Sequence, residues 1–396
     1  MSENNNKFNW SVLIGASFLM ASSSIGPGFI TQTAVFTQQL GASFGFVILM
    51  SVIIDAISQL NIWRIIIAAN KPAQDIANEV LPGMGYLLSV LVALGGLAFN
   101  IGSIAGAGLG MNVLFGISVP QGAAIACILA IGIFVYKESG KAMDLFSKCI
   151  GSLKIGLAIV VVYLASPPVA TAAKYSIVPQ HFSFFALITI VGGTVGGYIT
   201  FTGAHRLLDA GQGGLRHIKS VSKGALSAIG LSSLMRILLF LAALGVITAG
   251  GILNPDNPAA SVFELAAGKI GYKLFGVIIT FAGISSVVGA GFTSVSFVRS
   301  FHPFIEKYNR QIIIGFIIVS CVIFEIVGKP VKVLVTVGAL NALVLPIALC
   351  VILIAAHKPQ IVPGYKQPML LSIFGFAVVA IMTWMSVRGL NELLFH

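Results

Sequence analysis

The chain has 396 residues, of which 57% are hydrophobic and 9% charged, and its formal net charge is +11. Soluble proteins carry about 25% charged residues, so this chain has too few to cover its apolar surface, and lipid is its expected solvent. The basic excess does not mark a nucleic-acid binder, because the charges fall between apolar segments, as in the loops of membrane proteins.

A spanning helix takes roughly 20 apolar residues. The sequence predicts about eleven such segments, at about 11–38, 44–69, 84–110, 119–136, 150–166, 181–204, 224–250, 270–297, 311–328, 332–356 and 369–388. The chain reads as one transmembrane domain over 1–396, with no separate catalytic domain. The first segment starts near Trp10 and runs past Phe29, too long for the core of a cleavable signal peptide and without its small-residue cleavage pattern. Cys127, Cys149, Cys321 and Cys350 fall in or beside apolar segments, with no metal or disulfide spacing.

Alternate connections differ in charge. The amino terminus (Lys7) and every second loop, through Arg64, Lys71, Lys137, Lys141 and Lys148 to Lys358 and Lys366, hold fifteen Lys and Arg residues. The opposite side holds six: Lys174, Lys269, Lys273, Lys329, Lys332 and Arg388. The positive-inside rule predicts a multi-pass protein of the cell membrane, with a cytoplasmic amino terminus and an extracytoplasmic carboxyl terminus.

Two segments break the helical pattern in matching ways. The first carries Ser22-Ser23-Ser24-Ile25-Gly26-Pro27-Gly28 and then Thr31, Gln32, Thr33, Thr37, Gln38 and Gln39. The sixth carries Gly192-Gly193-Thr194-Val195-Gly196-Gly197-Tyr198 and then Thr200 and Thr202. Matched interruptions an odd number of spans apart point to two inverted repeats with a binding site at the midplane. The first repeat is expected at about 10–166, the second at about 181–356, and an extra helix at about 369–388. Thr31, Gln32, Thr33, Gly196, Gly197, Tyr198 and Thr200 are the candidate substrate-binding residues.

Ionisable residues inside spans are costly and often functional. Asp55, with Gln59 and Asn61 nearby, is the candidate ion-coupling carboxylate; pairing with Arg236 is its structural alternative. Lys154 lies early in the fifth segment, and Glu325 near the end of the ninth. His205, Arg206 and Asp209 end the sixth, where a solvated helix end is expected, and His181 precedes it. Asn100, Asn112 and Asn341 are either ligands or ties between helices.

Gly26-Pro27-Gly28 followed by Gln39-Leu40-Gly41-Ala42-Ser43-Phe44-Gly45, Lys71-Pro72-Ala73-Gln74-Asp75-Ile76-Ala77, Gly110-Met111-Asn112-Val113-Leu114-Phe115-Gly116 and Asn341 to Leu349 resemble, in order, segments of the NRAMP family of metal-ion transporters. The resemblance implies an all-α membrane protein of the LeuT fold: two inverted five-helix repeats plus one helix, with the first and sixth helices broken. It implies no cofactor.

The departures concern the metal site. The family binds its metal with an Asp-Pro-x-Asn motif in the first span. Counted from Gly28, that place is held by Thr37-Gln38-Gln39-Leu40; aligned instead on Gln39-Leu40-Gly41-Ala42, the motif falls in a gap of several residues, and either way the carboxylate is missing. The family's Met-Pro-His motif corresponds to Gly196-Gly197-Tyr198, and an acidic residue of its third span to Ser103. A dehydrated divalent cation needs negative ligands, and none is expected here. The sequence therefore predicts a secondary transporter for a small polar organic or carboxylate solute, for which the resemblance suggests 5-oxoproline, coupled to protons or sodium. A divalent-metal transporter with an altered site is the alternative. An enzyme is not expected: no His-Glu-x-x-His, Gly-x-Ser-x-Gly or paired carboxylates occur. The expected partners are the solute or ion and the bilayer.

Overall fold

The computed structural model describes residues 9–136, 140–299 and 301–395, without the side chains of 136, 140–150 and 389–395. Lys7 and Lys137 lie outside the described residues, as do the side chains of Lys141, Lys148 and Cys149. The helices are α1 (Trp10–Ser24), α2 (Pro27–Leu40), α3 (Phe44–Ala69), α4 (Ala73–Val80), α5 (Met84–Phe115), α6 (Val119–Tyr136), α7 (Gly140–Ala165), α8 (Val169–Ile177) and α9 (Phe184–Val195). They continue with α10 (Ile199–Asp209), α11 (Ile218–Thr248), α12 (Pro258–Arg299), α13 (Pro303–Lys307), α14 (Asn309–Val327), α15 (Pro330–Ala342), α16 (Val344–Ala356) and α17 (Met369–Phe395).

Every apolar segment expected from the sequence falls on a helix or on a helix pair. Among the described residues, eight stretches are long and apolar enough to cross a membrane. The α7 and α8 pair, bent by 108°, makes up to nine, and α1 and Val119–Val135 are shorter apolar helices. The sequence missed α4, α8 and α13, which are too short for a spanning pattern. It placed the start of the fifth segment near 150, whereas α7 begins at Gly140. The long α12 is interrupted at Ala267 and Gly268, so its first turns are a separate element before the span.

Burial ranks the helices. The most apolar window of α9 and α10 is 89% buried, against 22% for α14 and 33% for α17. The broken sixth segment is thus the axis, and α14 and α17 face outward with apolar side chains such as Ile326 and Phe374 exposed, as lipid contact requires.

The two breaks have different local causes. Pro27 has no N–H to continue α1, and its fixed φ suits the first position of α2. Gly26 before it is extended, at φ −89° and ψ −177°, as a residue preceding proline prefers. In the sixth segment Gly196 is extended and Gly197 is left-handed at φ +55°, a conformation costly for any residue with a Cβ. A third interruption of the helical hydrogen bonding, at Leu343, follows from Pro346, which cannot donate to the Ala342 carbonyl one turn back.

Helix α5 packs directly against the first break. A Cβ on Gly106 would stand 1.9 Å from Pro27 Cβ. Gly106→Ala should therefore overpack this contact and destabilise the protein by about 1–3 kcal/mol. Gly230→Ala, with nothing within 4 Å of its Cβ position, should leave the melting temperature unchanged or raise it.

Outside the spans, burial and the neighbouring Glu79 push the Asp75 carboxyl above its usual range, against the pull of Lys71. Its folded-state affinity for the proton is raised, so its contribution is fully present at low pH and lost as pH rises through the folded-state pKa. Asp75→Asn should raise the melting temperature at pH 8 relative to the unmodified protein, and the advantage should fade toward pH 4.

Candidate functional site

The two breaks meet across α5. A Cβ on Gly26 would lie 3.2 Å from Ser286 Oγ and 3.7 Å from Phe99 Cε1. The Phe99 ring in turn stands edge-on to Tyr198 at 5.5 Å between centroids and 80°. One aromatic of α5 therefore bridges the first break to the second. The Gly197 N–H donates to the Asn341 carbonyl at 3.2 Å, and a Cβ on Gly197 would stand 1.9 Å from Asn341 Oδ1. Helix α15 thus closes over the second break, which only a glycine there permits.

Several polar atoms around this centre are buried without a hydrogen-bond partner in the protein. They are Thr31 Oγ1, Gln32 Oε1, both amide atoms of Asn100, Ser103 Oγ, Tyr198 Oη, Ser286 Oγ, Ser294 Oγ and Asn341 Oδ1. Buried polar groups are nearly always paired, so a concentration of unpaired ones marks a place where something polar is received. All are neutral.

The expected site residues divide by what they touch. Gln32 Nε2 donates to the Leu334 carbonyl at 2.8 Å, which leaves its oxygen free. Thr33 Oγ1 donates to Phe29 O at 2.8 Å within its own helix. Thr200 turns away from the breaks: its hydroxyl donates to Gln59 Oε1 at 2.9 Å, and its carbonyl accepts from Trp63 Nε1 at 2.8 Å. Gly196 and Gly197 form the second break, with Tyr198 fully buried at its edge. Asn100, Ser103, Ser286 and Ser294 complete the centre. The sequence missed the two serines of α12, because small neutral residues inside a span carry no signal of their own. Asn112 donates to Ile117 O at 2.8 Å and caps the end of α5 instead.

The first break itself falls at Gly26-Pro27, upstream of Thr37 to Leu40, and carries no carboxylate. Among the described residues no group of three or more His, Cys, Asp or Glu side chains could hold a metal ion.

Two cations border the first break. Lys154 Nζ donates to the Ile25 carbonyl, the last of α1, at 2.7 Å. The Arg236 guanidinium lies 3.8 Å over the Phe29 ring and donates to Thr194 Oγ1 at 3.0 Å. Asp55 is buried and faces Thr194 and Arg236, so Thr194 stands between the two charges. His205 is not a solvated helix end. Its Nε2 accepts from the Ala73 N–H at 3.3 Å, and its ring stacks on Phe297. Glu325 and His181 are exposed.

A cavity of about 600 Å³ opens where α5 ends and α15 begins, lined by Leu109, Asn112, Asn254, Asp256, Lys329 and Lys332 among others. Leu109 is one turn past Gly106, and Val331 is one turn before Leu334, so the cavity stops about a turn short of the centre. The other end is tied shut. Gly214 N donates to Ile67 O at 2.8 Å, Arg64 Nη1 to Ser222 Oγ at 2.9 Å, and Asn9 N to Gln212 Oε1 at 3.1 Å.

Two broken helices around a buried polar centre, in an all-helical apolar frame, define a membrane transporter. The profile of the natural resistance-associated macrophage protein-like family, NRAMP, matches residues 17–392, and the chain belongs to that family. It is 56% identical over 382 residues to the uncharacterised membrane protein YcsG of Bacillus subtilis, covering 96% of this chain and 95% of that one. Among solved structures it is similar to the manganese transporter of Eremococcus coleocola, with a TM-score of 0.79 at 15% identity over 99% of this chain and 89% of that one. It is also similar to MhsT in complex with L-phenylalanine, with a TM-score of 0.62 at 16% identity over 95% and 97%. The fold is therefore the LeuT fold expected from the resemblance.

Breaking a buried charge pair by removing one partner costs about 3–5 kcal/mol. Arg236→Met should accordingly destabilise the protein by that amount, and Asp55→Asn added to it should recover a large part. Thermal unfolding of the two single variants and the double variant checks this coupling.

Proposed function

We propose that this protein is an ion-coupled secondary transporter for a small polar organic solute, with an anionic carboxylate favoured, working by alternating access. The observation that carries the reading is the charge of the centre. Its unpaired groups are neutral hydroxyls and amides apart from Asp55 Oδ1 and Arg236 Nη1, which belong to two facing charges, and that leaves Lys154 as the cation at the first break with no ion-pair partner among the described residues. A divalent ion about 5 Å from a protonated lysine would be repelled by about 7 kcal/mol at an effective dielectric constant near 20. A carboxylate would be attracted, and the N–H groups at the start of α10 add to that. Lys329 and Lys332 in the cavity favour anions on the way in.

The loop charges support an orientation with the amino terminus in the cytoplasm, which makes the cavity the extracytoplasmic access route and the tied end the closed inner gate. Opening that gate while closing the cavity is the alternating step. The divalent-metal reading draws on the manganese transporter of the same fold, and the binding experiment decides between the two.

Purified protein should be melted against manganese, magnesium, 5-oxoproline and other short carboxylates and amino acids. A ligand at 100 times its Kd stabilises by about 2.7 kcal/mol. A saturable shift with an organic acid and none with metals is expected; a shift with manganese or magnesium alone would overturn the reading. Tyr198→Phe removes a hydroxyl that has no partner in the protein. It should fold normally yet bind the solute about tenfold more weakly, the worth of about one hydrogen bond. Gln32→Ala should weaken binding as well.

A further inference from the structure

The end of α1 poses an electrostatic problem that the solute does not solve. Its last carbonyls point into the membrane interior with no helix to continue into, and they carry the negative end of the α1 dipole. In transporters with discontinuous helices, such half-helix ends and unwound carbonyls are where a coupling cation is coordinated. Here the cation is part of the chain: Lys154 of α7 is 1% exposed and donates to Ile25 O at 2.7 Å.

Among the described residues Lys154 makes no ion pair. Helices α1, α11 and α12 pack against α7. Helix α1 has no titratable residue. On α11, Lys219 and Lys223 lie in its first turns, and Arg236 is turned onto Phe29 and Thr194. On α12, Glu264, Lys269, Tyr272 and Lys273 lie in its first half, Lys273 donating to Val113 O and Leu114 O, and Arg299 ends the helix. Asp55, the buried acid singled out by the sequence, faces Arg236 instead. Lys154 is thus a buried, tethered cation that donates to the backbone at the first break, with Ser286 Oγ unpaired across that break.

We propose that Lys154 is the coupling group of this transporter: its ammonium takes the place of a free sodium ion at the end of α1, and its loss and regain of a proton shifts the balance between the two access states. The inference rests on the transporter reading but on no particular solute. In the step itself one Nζ–H bond breaks, the proton passes to water in the open pathway, and the electron pair stays on Nζ. Protonation from the other side reverses it. The neutral amine no longer holds the negative end of α1, so α1 is free to move against α7. Sodium has no role in the cycle.

The test needs no solute. Val331, which lines the cavity, is changed to cysteine in a background whose four native cysteines are alanine. The new cysteine carries an environment-sensitive fluorophore, and emission is followed from pH 5 to pH 9 in proteoliposomes. The expected result is a one-proton titration in which the ratio of the two states changes about tenfold, the effect of one unit of difference in proton affinity between them. The curve should be the same in sodium and in choline. Lys154→Gln should abolish the titration, and Lys154→Arg, which keeps the charge and carries the test alone if the glutamine variant does not fold, should fix emission at its low-pH value. A merely structural cap would leave the curve intact in Lys154→Arg, and that result, or a sodium-dependent midpoint in the unmodified protein, overturns the proposal. Failure of every solute in the binding panel would leave this titration readable, so the two claims fail separately.

Discussion

A helix broken inside a membrane leaves backbone groups that lipid cannot satisfy, and the rest of this molecule is arranged around meeting that demand. At the first break Pro27 removes a donor, and Lys154 supplies one to the orphaned Ile25 carbonyl. At the second, the Gly197 N–H finds the Asn341 carbonyl near the end of α15. Each repair comes from a different helix, so α7 and α15 are tied to the breaks they serve, and neither break can move without them.

The same arrangement explains why the centre is polar yet uncharged at its core. With Gly26 at the first break, Phe99 closes in beside it and carries the contact on to Tyr198. The unpaired groups around the breaks are hydroxyls and amides, with Lys154 and the facing Asp55 and Arg236 beside them. On the same fold the Eremococcus coleocola protein is a manganese transporter and MhsT holds L-phenylalanine. The frame therefore does not dictate the cargo; the side chains at the breaks do.

Much of this was legible in the sequence, and for identifiable reasons. Spans show as long apolar runs, and both breaks announce themselves through Gly-Pro and Gly-Gly pairs, because only those residues stop a helix so abruptly. What was lost was register and reach. The sequence showed a Gly-Pro interruption but not which turn is unwound; the structure puts the break at Gly26. Thr200, two residues past Tyr198, faces α3 rather than the centre, a difference of helical phase that follows from where α10 starts. Short helices such as α4 were invisible beside the spans. Lys154 stood out as a charge inside a span, but its partner is a backbone carbonyl 129 positions away, and no residue pattern encodes a carbonyl.

The account turns on one claim, that a neutral centre bordered by cations does not carry divalent metal. Manganese entry into proteoliposomes loaded with a metal-quenched dye, under an inward-negative potential, tests it most directly. The account predicts quenching no faster than in protein-free vesicles. Saturable quenching that disappears in Tyr198→Ala would contradict it and return this chain to the metal transporters whose fold it shares.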